Sequence, residues 1–66
     1  MEFKIREIRE QRKISQEELS SLSNVSRAII SGLETGKITT TTTDTLIKLA
    51  NALEVTVSDI FFETNV

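Results

Sequence analysis

A chain of 66 residues with no cysteine and no histidine has no disulfide and none of the usual soft metal ligands to staple it, so helix packing around one small core must hold it together. The longest apolar runs, Ala28-Ile29-Ile30 and Ile60-Phe61-Phe62, fall far short of the roughly 20 residues of a membrane helix. A formal net charge of -2 gives no overall basic footprint, and without His or Cys neither catalysis nor a cofactor is expected.

In chain order, Met1, Ile5 and Ile8 recur at spacings of four and three, an apolar stripe on a first helix running to about Arg12. Ser15-Gln16-Glu17-Glu18 is a capping box, which starts a second helix at Gln16. That helix is expected to turn Leu19 and Leu22 inward and to end at Asn24, a residue that tolerates the left-handed conformation. Ser26 then caps a third helix with Ile30 and Leu33 on its buried face, stopped by Gly36. Five consecutive threonines, Thr39 to Thr43, disfavour helix and read mostly as loop. Thr42 caps a fourth helix, where Leu46, Leu49, Ala50 and Leu53 repeat at helical spacing and Asp44 lies in the favourable first turn. Thr56-Val57-Ser58-Asp59 is a weaker capping box before a short fifth helix through Ile60, Phe61 and Phe62.

Two short helices joined by about three residues, the second capped by serine, make a helix-turn-helix over about residues 16–35. The segments Ile5-Arg6-Glu7-Ile8-Arg9, Ser15-Gln16-Glu17-Glu18-Leu19, Val25-Ser26-Arg27-Ala28-Ile29-Ile30-Ser31, Leu33-Glu34-Thr35-Gly36-Lys37, Thr45 to Ala50 and Val57 to Phe61 jointly resemble the Cro and phage-repressor (XRE-type) helix-turn-helix family. The likeness runs from about residue 3 to residue 61. It implies an all-α, five-helix lambda-repressor-like domain over residues 1–66 that binds double-stranded DNA and regulates transcription.

The family's roles carry over position by position. Gln16 matches a glutamine that contacts phosphate and braces the recognition helix, although a solvated helix start fits the residue alone. Arg27 and Ala28 match the first base-facing positions, and arginine there suits a guanine edge, a phosphate, or plain solvent. Ile29 meets either a thymine methyl or the edge of the core, and Ser31 either DNA or water. Lys37, Thr39 and Thr40 match a region that contacts the sugar-phosphate backbone. The DNA-facing set implied is thus Gln16, Ser26, Arg27, Ala28, Ile29, Ser31, Gly32, Lys37, Thr39 and Thr40. Arg9 and Glu34 match a partly buried salt bridge that orients helices.

The sequence departs from the family at three places. Gly32 stands where a longer recognition-helix side chain is usual, Glu54 where a glycine commonly ends the fourth helix, and the prolines frequent before that helix are missing. Residues 1 to 43 carry seven basic and six acidic side chains, whereas residues 44 to 66 carry Lys48 against four acids, so the acidic end is expected to face away from DNA. The apolar excess at Val57, Phe61 and Phe62 is the expected interface of a homodimer on a pseudo-palindromic operator, with occupancy by a repressor as the mode of action. The competing expectation, from the net acidity and Gly32, is a protein-protein interaction module on the same scaffold. The start Met1-Glu2-Phe3-Lys4 lacks the apolar stretch of a signal peptide, so a cytoplasmic protein is expected, with no membrane partner and no effector ligand legible.

Overall fold

The computed structural model describes residues 3–60 and folds them into α1 (Ile5–Gln11), α2 (Gln16–Ser23), α3 (Arg27–Thr35), α4 (Thr43–Leu53) and α5 (Val57–Ile60). Helix boundaries follow the capping chemistry. Ser15 Oγ accepts the Glu18 amide at 3.0 Å while Glu18 Oε1 accepts the Ser15 amide at 2.9 Å, a closed capping box on α2. Ser26 Oγ accepts the Ile29 amide at 3.2 Å and Thr42 Oγ1 the Thr45 amide at 3.1 Å, which starts α3 and α4. Thr56 and Asp59 exchange the same pair of bonds at 3.2 and 3.0 Å ahead of α5. Helix α1 has no side-chain cap, and instead the Lys4 amide donates to the Ile60 carbonyl at 2.6 Å, tying the start of the first helix to the end of the last.

Left-handed residues end the helices. Asn24 (φ 64°) closes α2 and Gly36 (φ 86°) closes α3. Glu54 closes α4 at φ 62°, a conformation that costs a non-glycine residue energy. Arg12 compensates: its guanidinium bonds both the Glu54 carboxylate at 3.1 Å and the Glu54 carbonyl at 3.3 Å.

Helix α2 packs on α3 and α4, α1 on α3, and α5 on α4. Their shared core contains Ile5, Leu19, Val25, Ile30, Leu33, Leu46, Leu49, Ala50, Leu53 and Ile60, with Ile8, Ile14, Ile29, Ile38 and Val57 half-buried around it. Leu22 corrects the sequence reading, since it is 64% exposed. The inward positions of α2 are Leu19 and Ser23, four apart. Leu22 lies on the other side of Leu19 around the helix, and the turn needs Ser23 inside, where its Oγ accepts the Val25 amide at 3.2 Å. No helix among the described residues is long and apolar enough to cross a membrane.

Candidate nucleic-acid interface

The turn from α2 to α3 is three residues, Asn24-Val25-Ser26. Its angle is held at both ends: the Asn24 amide donates back to the Ser20 carbonyl at 2.9 Å, and Val25 is buried in the core. Helix α3 therefore leaves the turn with its direction set. Ile30 and Leu33 anchor its inner side, and Arg27 and Ala28 stand exposed on the outer side. Ser31, one turn beyond Arg27, is partly exposed, and Thr35 continues the row at the same spacing. Thr35 is absent from the set read off the sequence, although the 27-31-35 spacing was there to be counted. Its hydroxyl donates to the Ser31 carbonyl at 2.9 Å, so its methyl is the more available end.

A single carboxylate fixes this helix against the rest of the molecule. Arg9 Nε donates to Glu34 Oε2 at 2.9 Å and Nη2 to Oε1 at 3.2 Å, while Nη1 donates to the Ile14 carbonyl at 2.9 Å. Gln16 Nε2 gives a third bond to the carboxylate, to Oε1 at 2.9 Å. Helix α1 and the first residue of α2 thus converge on Glu34 in the last turn of α3, and Arg9 ties the turn after α1 to the same point. The side chains of Arg9 and Glu34 are only 12% and 3% exposed, and the hydrogen bond to Glu34 raises the Arg9 pKa above its already high ordinary value, leaving it charged throughout. No buried side-chain nitrogen or oxygen among the described residues lacks a partner.

The remaining sequence-derived positions divide. Ser26, Lys37, Thr39 and Thr40 are exposed, and Gln16 is half-buried with one of its two amide hydrogens committed to Glu34. Ile29 is half-buried and packs against the core. Gly32 corrects the expectation, for it is buried and does not belong to the outer face. Ile38 lies directly over it, and a Cβ added at residue 32 would sit 2.5 Å from Ile38 Cδ1 and 2.6 Å from Cγ1. A longer side chain is missing here because the loop after α3 occupies its space. Val57 is half-buried against the core, and Phe61 and Phe62 lie outside the described residues.

No curated protein matches the sequence. Among solved structures, the restriction-modification controller protein C.AhdI from Aeromonas hydrophila is similar, with a TM-score of 0.81, 33% identity, and coverage of 88% of this chain and 86% of that one. A family model described as helix-turn-helix matches residues 5–60, the span of all five helices. The chain therefore belongs to the XRE-type, Cro and phage-repressor helix-turn-helix family of DNA-binding transcriptional regulators.

Proposed function

We propose that the protein represses transcription by occupying an operator as a homodimer, each copy placing α3 in the major groove of one half-site of a pseudo-palindrome, the half-sites about 10 base pairs apart. The observation that carries this reading is the outward row of Arg27, Ala28 and Ser31 on a helix whose other side is locked by the core and by Glu34. A rigid presenting helix is what base recognition requires, because contacts that must first be ordered lose affinity to entropy. Arg27 contacts a guanine edge, a pairing worth about 1–3 kcal/mol against the wrong base. Ala28 and the rim of Ile29 meet thymine methyls. Phosphate takes the second amide hydrogen of Gln16, the hydroxyl hydrogens of Ser26, Thr39 and Thr40, and the Lys37 ammonium. The second copy docks at the C-terminal end of the fold, through Val57 with Phe61 and Phe62. Likeness to C.AhdI favours one variant of this reading, in which the regulated genes belong to a restriction-modification system.

Selection of bound sequences from a random duplex pool tests the whole. An inverted repeat should be recovered, with affinity falling steeply as salt rises, and Arg27→Ala should relax preference at one base of each half-site. Gln16→Ala should weaken all sequences alike. Recovery of no motif and no duplex binding at low salt would overturn the reading in favour of a protein-interaction module. Sedimentation as a monomer at high micromolar concentration, free and on DNA, would overturn the dimer.

A further inference from the structure

The segment after α3 doubles back across it. Gly36, in the left-handed region at φ 86°, reverses the chain, and the Ile38 amide then donates to the Gly32 carbonyl at 2.9 Å. Ile38 packs half-buried over the bare Cα of Gly32, while Lys37 on one side of it and Thr39 and Thr40 on the other are exposed. One backbone bond and one side chain thereby hold the stretch to α3, and Lys37, Thr39 and Thr40 beside them face solvent.

We infer that Gly32 is a positioning residue for DNA binding: by letting Ile38 seat on α3, it sets the distance between the base-facing row of that helix and the backbone-contacting groups Lys37, Thr39 and Thr40. The inference rests on the reading of α3 as the groove-entering helix. Its physical basis is steric. Isoleucine is β-branched and stiff at χ1, and both Cγ1 and Cδ1 lie closer to the site of a residue-32 Cβ than any real contact allows, so an alanine there must displace the Ile38 side chain and, with it, the segment it anchors. The Ile38 Cβ is 3.4 Å away, at the edge of ordinary contact, so trimming Ile38 to alanine removes the conflict. Helix propensity alone predicts the reverse of damage, since alanine favours helix over glycine.

The test is a cycle of Gly32→Ala and Ile38→Ala, read as duplex affinity across a salt series alongside thermal unfolding. Gly32→Ala in the native background should weaken binding about tenfold and make the slope of log affinity against log salt shallower by about 0.9, one phosphate contact. In the Ile38→Ala background the same change should alter affinity less than about twofold and leave the slope untouched, the steric conflict being gone. A merely destabilised protein would lose affinity without a change of slope. Native affinity and slope in Gly32→Ala, or equal losses in both backgrounds, would overturn the inference while leaving α3 as the reading helix. Absence of salt-dependent duplex binding by the unaltered protein would instead overturn the reading beneath it.

Discussion

Replacing Arg9 by alanine should remove a large share of the stability of this domain. At about 0.05–0.15 kcal/mol per residue, a chain of 66 residues is stable by only about 3–10 kcal/mol. The substitution removes both guanidinium bonds to Glu34 and the bond to the Ile14 carbonyl, and it leaves a carboxylate that is 3% exposed with Gln16 as the remaining donor shown. Breaking one side of a buried pair costs about 3–5 kcal/mol, because the surviving charge keeps its desolvation penalty and loses its compensation. For a domain of this size each kcal/mol moves Tm by about 4–8 °C, so a fall of at least about 12 °C is expected. Arg6→Ala is the internal control. Its pair with Glu10 is 3.3 Å long with side chains 66% and 59% exposed, and such pairs contribute about 0–1 kcal/mol. Thermal unfolding by circular dichroism measures both variants, and Glu34→Leu combined with Arg9→Met should recover much of the loss by replacing the pair with apolar packing. Equal, small shifts for Arg9→Ala and Arg6→Ala would refute the reasoning.

Exposure decides a second comparison: Leu22→Ser should change stability by less than about 0.5 kcal/mol, whereas Leu19→Ala, fully buried three residues earlier, should cost about 2–5 kcal/mol in denaturant titration. Lys13 sits at φ 61° in the turn between α1 and α2, so Lys13→Gly should relieve left-handed strain and raise Tm by a few degrees, about 0.5–1 kcal/mol after the entropy of glycine is subtracted. The backbone amide and then the hydroxyl of Thr56 hold the Asp59 carboxyl below its ordinary pKa of 3.8. A lowered folded-state value means that the cap stabilises fully above that ordinary pKa and loses its effect as pH falls through the depressed one. Protection of the α5 amides, taken relative to their intrinsic exchange rate at each pH, should accordingly fall only at pH below the usual aspartate range, and Asp59→Asn should abolish that fall.

What could be read from the sequence was what depends on near neighbours along the chain. The Ser15-Glu18 capping box, the caps at Ser26 and Thr42, and the left-handed stops at Asn24 and Gly36 each involve groups within a few residues, and spacing alone specifies them. The apolar stripe of α4 was legible for the same reason. Pairing of Arg9 with Glu34, 25 residues apart, came from family resemblance, and only the fold shows that Gln16 and the Ile14 carbonyl join it.

Leu22 was misplaced because periodicity gives the spacing of a helical face but not its direction, and Gly32 because the resemblance assigns a position without saying what packs over it. On α2 the inward direction falls between Leu19 and Ser23, which turns the next leucine to solvent. On α3 a position that looked like a bare spot on the outer surface is the floor of a contact with Ile38, made possible by the reversal at Gly36. Local sequence thus determined where α2, α3 and α4 start and stop and which of their residues are apolar, since those are short-range hydrogen-bonding and solvation choices. Which side of each helix remained outside was decided only by the tertiary structure, because burial depends on where the other segments come to lie.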